Sequence, residues 1–470
     1  MWHDTYLRTV LQPDYVYARE HLLPHLFDAL TAHALMLDTR GVPHAGRAAT
    51  LLRALRREPF PPYDPQVEDV FFMVDRRLAV VDPKAAGALR TALSRNDLDM
   101  TVYRLSARER LLRATRRLLG LRRTLLDLAG REVDTVMVAY THHQPAQPTT
   151  LAHYLAGLEN VLARDTRRMF AALGHVNLSP MGAVALAGTS FPIDRELTAG
   201  LLAFDRPVEN TYDAVSASDW QVDLAATVTV AATTLSRAVH DLLLWASRGL
   251  LTLEDGLVQG SSVMPQKRNP VALEHARTKF SKAIGVTQSI VLGAHNVPFG
   301  DINDPGPDMQ PPLHSMWQEF REGVELLTVA LRSPRIDRDA WRREAECGES
   351  VVTELADAIV RHRGCGFREA HGTVRALLAG LHASGRTLAS VTRHDLECLG
   401  VDLPDCDLIA ALDPAAFIAR RTTFGGPAPA VMREALAAAH ARLEGDGLEH
   451  RHAQQRFADA RTRLEGGTEW

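Results

Sequence analysis

The sequence predicts an all-α protein built around a bundle of long helices. Leucine recurs every seven residues along the first long segment, at Leu98, Leu105, Leu112, Leu119 and Leu126. This spacing, with a second leucine row beside it, is typical of a long helix that has a wide apolar seam. Residues 219–251 are mostly Ala, Val, Thr and Leu, so a helix there must be buried on all sides. Because one chain cannot surround several such helices, we expect other subunits to complete the bundle.

The N-terminal region, residues 1–97, is predicted to form a separate helical domain. Leucines between residues 22 and 37 mark one helix, and residues 68–79 mark another. Seven prolines between residues 13 and 65 divide the region into short pieces, because proline interrupts a helix interior.

The central region, residues 98–362, is predicted to form the long-helix bundle. Further apolar faces recur at helical spacing in residues 150–172, 219–251, 271–292, 320–331 and 349–362. No long stretch between residues 98 and 360 alternates with a period of two, so we expect little β-structure there.

The C-terminal region, residues 363–470, is predicted to form a small domain of shorter helices. We expect turns at Gly364, Gly366 and Gly400, and a final helix after the sequence Gly425-Gly426-Pro427. Residues 444–470 are polar and charged, which predicts a loosely held tail.

Composition and charge exclude several classes of protein. The 470 residues include 57 acidic and 53 basic ones, and the net charge of −4 gives no reason to expect nucleic acid or an anionic membrane as a partner. No apolar run reaches about 18 residues and residues 1–5 lack the features of a secretory signal, so we expect no membrane span and a cytoplasmic protein. Four cysteines without Cys-x-x-Cys spacing and 20 histidines without a His-Glu-x-x-His pattern predict neither a disulfide nor a metal site, and no motif predicts a cofactor.

A polar loop at residues 260–270 is the strongest candidate for chemistry. It reads Gly-Ser-Ser-Val-Met-Pro-Gln-Lys-Arg-Asn-Pro, and the helix predicted after it gives Asn269 as N-cap and Pro270 as the first helical residue. Small residues leave backbone N–H groups free, and these, the helix dipole and the charge of Lys267 suit an anion. From the residues alone, the alternative is an ordinary capped loop.

This loop resembles the signature of the fumarase/aspartase superfamily, Ser-Ser-x-Met-Pro-x-Lys-x-Asn, and the glutamine before Lys267 is the form found in argininosuccinate lyases. Other stretches resemble the same family, namely residues 91–97, 141–148, 180–196, 209–216, 367–371 and 419–426. The resemblance covers residues from about 15 to 440. It implies a three-domain fold with a tetrameric helical core, a small succinyl substrate, and active sites that each draw on three subunits of a homotetramer.

The resemblance also implies the catalytic residues. Ser261 is the base, Lys267 stabilises negative charge, and His142 serves in acid/base chemistry with Glu274 beside it. The residues implied to bind the substrate are Ser94, Arg95, Asn96, Thr141, Gln144, Ser262, Met264, Asn269 and Gln310.

Some of these residues also have an ordinary structural interpretation. Glu274 is a first-turn carboxylate near the positive end of a helix dipole, and the two interpretations of it are compatible. Ser94 precedes an apolar-periodic run and fits a helix N-cap. The adjacent His142 and His143 fit a plain surface turn bounded by proline.

The expected reaction mechanism follows from the chemistry of breaking a C–N bond in a succinate. Removal of a nitrogen group from a succinate requires loss of a weakly acidic C–H proton beside a carboxylate, whose developing charge needs fixed donors and cations. Lys267, Asn269 and loop amides supply them, and they also make a serine hydroxyl a better base by stabilising its oxyanion. His142 would then protonate the leaving nitrogen, since imidazole titrates near neutrality. The opposite assignment, with His142 as base and Ser261 as helper, stays open.

Part of the substrate-binding set departs from the family. An insertion at 305–307 interrupts the family's Tyr-Asn-x-Asp-x-Gln-x-x-Lys segment, where Ile302 replaces the Tyr and Leu313 the Lys. Phe71 stands where the family has His, and Ser218 where Arg is usual. A site that loses polar partners changes its ligand.

Three hypotheses follow. The first is a lyase that releases fumarate from an N-linked succinate whose nitrogen group is not arginine, such as a nitro-type or amine-type group. The second is an authentic argininosuccinate lyase with a remodelled pocket. The third is a catalytically silent relative that uses the same bundle structurally.

Overall fold

Helices form most of the chain in the computed structural model, which describes residues 2–466. The α-helices are, in chain order, α1 (Asp4–Tyr6), α2 (Gln12–His21), α3 (Leu23–Thr39), α4 (Ala45–Leu55), α5 (Val70–Val81), α6 (Pro83–Leu89), α7 (Arg95–Arg131), α8 (Leu151–Val176), α9 (Arg195–Leu201), α10 (Thr211–Ser216), α11 (Asp219–Ser247), α12 (Val271–Ala294), α13 (Gln310–Arg332), α14 (Arg338–Cys347), α15 (Val352–Arg363), α16 (Phe367–Ala383), α17 (Arg393–Glu397), α18 (Asp405–Leu412), α19 (Pro414–Ala419) and α20 (Pro429–Leu464). A π-helical turn, Leu7–Leu11, joins α1 to α2, and short 3₁₀ turns lie at Asp255–Leu257, Pro307–Met309 and Leu388–Ser390. The predicted all-α class is confirmed.

Local sequence signals fix where the N-terminal helices begin. Pro13, Pro24 and Pro83 each occupy the first turn of their helix, where the missing N–H costs no hydrogen bond. Asp69 caps α5 by accepting a hydrogen bond from the N–H of Phe72 at 2.9 Å. The prolines therefore separate short helices, as predicted.

Five long helices, α7, α8, α11, α12 and α13, pack side by side as the predicted central bundle. The closest pairs are α12 with α13, α11 with α12, α7 with α8, and α7 with α13, and α8 against α11 closes the ring. The leucine seam of α7 lies inside it: Leu98 and Leu126 are fully buried and Leu105 nearly so. A seven-residue leucine repeat thus supplies the apolar stripe that the neighbouring helices cover.

The apolar helix α11 is covered on only part of its surface within one chain. Val230 and Leu244 on α11 are each 41% exposed, and Leu292 on α12 is 69% exposed. The expectation that α11 is buried on all sides is therefore not met by a single chain. In the described residues, α11 is the one helix long and apolar enough to cross a membrane by length and composition, and half of that stretch is buried against other helices.

Short strands add four two-stranded pairs to residues 2–466. The strands are β1 (Val136–Thr141), β2 (Gln144–Thr150), β3 (Leu178–Ser179), β4 (Arg206–Pro207), β5 (Leu251–Thr252), β6 (Gln259–Gly260), β7 (Arg268–Asn269) and β8 (Arg335–Ile336). β1 pairs with β2, β5 with β8 and β6 with β7 in antiparallel fashion, and β3 pairs with β4 in parallel. Little β-structure was expected between residues 98 and 360. The β1–β2 hairpin is the main β-structure found there.

Two large hydrophobic cores organise the described residues, beside two small clusters. The larger core joins the N-terminal helices, the bundle and parts of α20. The smaller core joins α14 to α19 and includes Val136 and Val138 of β1. The hairpin thus links the bundle to the C-terminal helices. The three-domain division at residues 97 and 362 stays a prediction.

The expectation of a loosely held tail from residue 444 is wrong for the described residues. α20 continues to Leu464 and lies along α7, α8 and α3. Its Asp446 accepts a 2.6 Å hydrogen bond from the fully buried Arg122, which also donates to Glu159 at 2.9 Å. Polar composition misled the prediction because these polar residues pair in the interior. Residues 467–470 lie outside the described residues.

The start of α12 is also corrected. Asn269 was expected to be the N-cap, but it pairs with Gln259 in the β6–β7 hairpin, and α12 begins at Val271 with Pro270 as the cap residue. Strand pairing holds Asn269 extended, so the chain enters the helix one residue later.

Candidate active site

The segment Ser94–Asn96 lies at the N-terminus of α7. This position agrees with the prediction that Ser94 is a helix N-cap. Ser94 is the N-cap and its hydroxyl accepts from the N–H of Asn96 at 3.3 Å. Asp97 returns the interaction, because its carboxylate accepts from the N–H of Ser94 at 3.2 Å. This reciprocal capping box fixes the three residues at the positive end of the longest bundle helix.

Arg95 is held by carboxylates and an aromatic ring. Its guanidinium donates to Glu68 at 2.9 Å and to Asp69 at 2.7 Å, and it lies 5.1 Å from the ring centre of Phe72. Burial lowers the pKa of Arg95, but these hydrogen bonds outweigh burial and raise it above its ordinary value. Within one chain, the guanidinium is therefore committed to Glu68 and Asp69 rather than open for a substrate carboxylate.

Asn96 connects α7 to the loop at residues 300–309. Its amide donates to the carboxylate of Asp301, and its carbonyl oxygen accepts from the hydroxyl of Ser94. The structure thus brings the 94–96 segment and the 300s segment together. The sequence contained Glu68, Asp69 and Asp301, but only the fold shows that they contact the motif.

Asp97 joins a further family-like stretch to α7. Its second carboxylate oxygen accepts from the N–H of Gly182 at 2.7 Å. Gly182 has a φ of +84°, and a Cβ there would lie 2.7 Å from Cγ of Arg195 and 2.9 Å from Cδ1 of Ile193. Only glycine fits this position without strain. Asp97 therefore orders two segments around the α7 N-terminus.

Carboxyl groups crowd this end of α7. Burial and the charge of Asp69 raise the pKa of Asp99 to about 8, and burial raises the pKa of Asp301. Burial raises the pKa of Asp97 to about 6, against the opposing effect of its backbone hydrogen bonds. Acidic groups held close together raise one another's pKa. Such perturbed pKa values are common at functional sites.

His142 lies at the tip of the β1–β2 hairpin. His142 and His143 are the two central residues of the turn, with φ values of +53° and +60°. Positive φ at both central positions is what a tight two-residue hairpin turn requires, and histidine tolerates that region better than most residues. Thr141 and Gln144 pair on either side of the turn, and all four side chains are exposed.

A polar cluster anchors this hairpin. The hydroxyl of Tyr140 donates to the carboxylate of Glu344 on α14 and accepts from Arg248 at 2.7 Å, while Arg248 contacts Glu344 at 2.5 Å. On β2, the amide of Gln147 donates to the hydroxyl of Thr353 at 3.1 Å. Sequence reasoning missed Tyr140, although it directly precedes Thr141, because its two partners are distant in the chain.

The loop at residues 261–267 connects β6 to β7 and is organised around Ser261. The Ser261 hydroxyl oxygen accepts from the N–H of Val263 at 3.2 Å and from the N–H of Met264 at 3.0 Å. The N–H of Lys267 donates to the carbonyl of Met264 at 3.0 Å and closes a turn. Two N–H groups that point at one hydroxyl oxygen favour its ionised form.

The other predicted loop residues lie around Ser261 on the surface. Ser262 and Lys267 are exposed, Met264 is 42% exposed, and Asn269 is half-buried in β7. Glu274 lies in the first turn of α12 with an exposed carboxylate, as its helix position predicted. The loop thus presents its polar groups outward.

The insertion at 305–307 is fixed to the bundle. The buried Gln221 of α11 donates to the carbonyl of Pro305 at 2.8 Å, and Gln310 donates to the carbonyl of Gly306 at 3.0 Å. Gln310 is therefore buried and bonded to its own loop. Leu313, expected beside the substrate, lies in the main core with 3% exposure, whereas Ile302 is half-buried in the loop.

The three predicted segments do not all meet in one chain. Residues 94–96 contact Asp301, but among residues 2–466 no hydrogen bond or ion pair joins His142 with Ser261 or Glu274. In the same part of the chain, no group of three or more His, Cys, Asp or Glu residues is arranged to hold a metal ion.

Known proteins share both the sequence and the fold. Residues 70–285 match the family described as Lyase, and residues 349–419 match the family described as Argininosuccinate lyase C-terminal. Argininosuccinate lyase 2 of Agrobacterium fabrum is 35% identical over 454 residues, which covers 93% of this chain and 90% of that protein. The chain belongs to the argininosuccinate lyase family. This membership confirms the resemblance and makes the protein a carbon–nitrogen lyase of the fumarase/aspartase superfamily.

Other relatives agree with this assignment. The argininosuccinate lyase of Methanoculleus marisnigri is 36% identical over 426 residues, covering 87% of this chain and 84% of that protein. The crystal structure of EDDS lyase in complex with formate superposes with a TM-score of 0.87 at 27% identity, covering 95% of this chain and 91% of that chain. A class II fumarase from Schistosoma mansoni shares the fold alone, with a TM-score of 0.71 at 16% identity over 88% of this chain and 92% of that one.

Proposed function

We propose that this lyase eliminates a nitrogen substituent from an N-linked succinate, releases fumarate, and uses a leaving group other than arginine. The observation that carries the proposal is the pair of backbone N–H groups directed at the Ser261 hydroxyl oxygen. A serine hydroxyl removes a carbon-bound proton only when its alkoxide is stabilised. The N–H groups of Val263 and Met264 supply that stabilisation before any substrate binds.

The proton then has a defined path. Ser261 takes the C–H proton beside the substrate carboxylate, the electron pair moves into the carbon–carbon bond, and the C–N bond breaks. Lys267 and Asn269, on the same loop, stabilise the carboxylate that carries the developing charge. His142 gives a proton to the leaving nitrogen, with Glu274 as its partner. The reverse assignment of Ser261 and His142 stays open.

The N-terminus of α7 binds one substrate carboxylate in this proposal. Ser94 and Asn96 offer a hydroxyl and an amide at the positive end of the helix dipole. Arg95 contributes its charge, and binding requires it to exchange part of its pairing with Glu68 and Asp69 for the substrate. Thr141, Gln144, Ser262 and Met264 line the same site from the other two segments.

The site is proposed to form from three subunits of a homotetramer. His142, the 94–96 segment and the Ser261 loop lie in separate parts of one chain, so a complete site needs other copies. The exposed apolar side chains Val230, Leu244 and Leu292 give the bundle a surface on which those copies pack. A cytoplasmic location is part of the proposal and is supported by the similarity to argininosuccinate lyases, which are metabolic enzymes.

The choice of leaving group rests on the loop at residues 300–313. Ile302, half-buried in the loop, replaces a polar residue of the family, and Gln221 and Gln310 hold the inserted segment 305–307 in place through the carbonyls of Pro305 and Gly306. A guanidinium buried without partners costs several kcal/mol, whereas a small or uncharged group does not. The second candidate, an authentic argininosuccinate lyase, is favoured by relatives of that name at 35 and 36% identity.

Substrate profiling decides between the two candidates. Fumarate release is followed by absorbance for argininosuccinate and for succinates that carry small or uncharged nitrogen groups. We expect kcat/KM for argininosuccinate well below about 10⁴ M⁻¹s⁻¹, the lower end for metabolic enzymes, and a higher value for another N-linked succinate. A value for argininosuccinate at or above that level supports the second candidate instead.

The role of Ser261 is tested by Ser261→Ala. Loss of the base should lower kcat by about 10³-fold or more while the fold is kept. Ser281→Ala is the matched control, because Ser281 is an exposed serine on α12 whose hydroxyl, in the described part of the chain, bonds only the carbonyl of Arg277. Near-normal fumarate release by folded Ser261→Ala protein would remove Ser261 from the mechanism.

Shared sites are tested by subunit mixing. Inactive His142→Asn and Ser261→Ala proteins are dissociated, mixed and reassembled, and mixed oligomers should contain some sites with both native residues. Recovered fumarate release supports sites built from several subunits. An absence of recovery after demonstrated subunit exchange contradicts it.

A further inference from the structure

A large cavity lies between α3, α7, α13 and α20, away from the candidate active site. Its volume is about 640 Å3, and a smaller cavity of about 370 Å3 shares part of its wall. The charged residues of the larger wall are Arg108, Arg113, Arg116, Arg117, Arg321, Arg461, Asp28, Glu109 and Glu325. This space, hereafter the arginine cavity, carries six arginines against three carboxylates in a chain whose net charge is −4.

The three carboxylates are already engaged by other arginines of the wall. Arg117 pairs with Glu325 at 2.6 Å. Arg461 pairs with Asp28 at 3.2 Å and with Glu109 at 3.3 Å. Arg113 also pairs with Glu109. The remaining arginines of the wall therefore have no carboxylate left to neutralise them.

Those remaining arginines are Arg116, Arg321 and Arg108. Within residues 2–466, none of the three forms an ion pair. Arg108 is buried, donates only to neutral acceptors, Asn177 at 2.9 Å and the carbonyl of Leu202 at 2.7 Å, and packs 4.0 Å from the ring centre of Phe457. Burial lowers the pKa of Arg108 to about 9 although the charges of Asp28 and Asp205 act in the opposite direction, so Arg108 adds a poorly neutralised positive charge to the wall.

The pKa values of two histidines near the cavity are consistent with the same excess of positive charge. Burial and the charges of Arg461 and Arg108 hold the pKa of His25 well below its ordinary value. Burial and nearby cations, Arg321 among them, lower the pKa of His314 to about 4. Burial is the main cause of both lowered pKa values, and the neighbouring arginines lower them further, in agreement with the unpaired arginines of the wall.

We propose that the arginine cavity binds a small polyanion, a metabolite with two or more phosphate or carboxylate charges. Arg116 and Arg321 both line this cavity, and within residues 2–466 neither guanidinium forms a hydrogen bond or an ion pair. Both are therefore available to phosphate or carboxylate oxygens, which the planar guanidinium matches in pairs. A concave volume of about 640 Å3 is the size of a small-molecule site rather than of a protein-docking surface.

The cavity is separate from the active site but shares two helices with it. Asn96 and Arg116 are 20 residues apart on α7, roughly 30 Å at 1.5 Å per residue. Gln310 and Arg321 lie 11 residues apart on α13, roughly 16 Å. The proposal therefore does not depend on the proposed substrate.

The test is calorimetric titration of the purified full-length chain with inorganic pyrophosphate and, separately, with citrate. Fumarate is left out, because this dicarboxylate is itself a candidate ligand of the cavity, and the variants described next separate binding in the cavity from binding at the active site. We expect at least one probe to bind with Kd below about 1 mM. Chloride added at equal ionic strength should not displace that probe. Tighter binding of pyrophosphate identifies a phosphorylated ligand, and tighter binding of citrate a polycarboxylate.

Variants locate the binding. Arg116→Gln and Arg321→Gln should each weaken binding about tenfold or more, and the double variant should abolish it, since each removes a charge-assisted contact. Neither side chain forms an ion pair within residues 2–466, so the fold should survive, as circular dichroism will show. Lys84→Gln, an exposed cation on α6, is the matched control and should bind normally. No binding of either probe at about 1 mM, or equal binding by the double variant, overturns the proposal.

Discussion

Replacement of Arg248 by leucine should slow catalysis, because Arg248 holds the hairpin that carries His142. Arg248 lies just after α11, and its guanidinium donates to the Tyr140 hydroxyl at 2.7 Å and contacts Glu344 at 2.5 Å. The Tyr140 side chain therefore connects three separate elements, β1, α11 and α14. Without Arg248, one side of the hairpin loses its attachment to the bundle.

The size of the effect follows from these contacts. A hydrogen bond to a charged group contributes about 1.5–3 kcal/mol, and the side chain of Arg248 is 34% exposed, so we take the lower end. About 1.4 kcal/mol is a factor of ten in an equilibrium constant, so the equilibrium constant for docking of the hairpin falls about tenfold and its docked population falls by up to that factor. We expect kcat to fall by up to about tenfold and KM to change little, since the succinyl group binds mainly to α7 and the Ser261 loop.

The assay is steady-state fumarate release by Arg248→Leu, Tyr140→Phe and the control Arg237→Leu. Tyr140→Phe keeps the Arg248–Glu344 pair and should cost less than Arg248→Leu. Arg237 is exposed on the same helix without an ion pair in the described part of the chain, so its loss should leave kcat unchanged. Folded Arg248→Leu protein with a lowered melting temperature and a normal kcat would refute the positioning role and leave a structural one.

Three further predictions concern stability. Arg122→Leu leaves the buried Glu159 without its main partner and should lower the free energy of unfolding by about 3–5 kcal/mol in urea titration, a cost that Arg122→Leu combined with Glu159→Leu should largely recover. The pKa of Asp99 is raised from 3.8 to about 8, so the folded state binds this proton more tightly than the unfolded state. The free energy of unfolding should therefore fall as pH rises from about 4 to about 8. Asp99→Asn should reduce this pH dependence in urea titrations at several pH values. Gly182→Ala should lower the melting temperature by several degrees because of the positive φ and the contact with Arg195, whereas Gly120→Ala, in open space on α7, should raise it slightly.

Much of the fold was predictable because each signal was local. The leucine repeat of α7 and the prolines at the start of several helices could be interpreted from the sequence, since both signals depend only on neighbours in the chain. The same is true of Ser94, whose role as N-cap follows from the residues just after it. The Ser261 loop was recognisable from its motif, and the structure added the two N–H groups that surround the hydroxyl.

The rest depended on contacts between distant residues. Nothing in residues 444–464 indicates that Asp446 meets a buried arginine 324 positions earlier, so polar composition was read as a loose tail. Asn269 looked like a helix cap because its pairing with Gln259, ten residues earlier, is invisible to local reasoning. Leu313 was placed beside the substrate by alignment, whereas packing turned it into the core.

The ion-pair link between Arg122 and Asp446 also sets an order for the biosynthesis of the protein. The two residues are 324 positions apart, and a ribosome adds about 5–20 residues per second, so Arg122 waits roughly 15 to 65 seconds for this partner. During that time α7 and α8 cannot bury Arg122 with its full set of hydrogen bonds. The contact of Arg122 with α20 is therefore made only as synthesis ends, and we expect a premature stop before α20 to leave the central helices less stable and more open to chaperones and proteases.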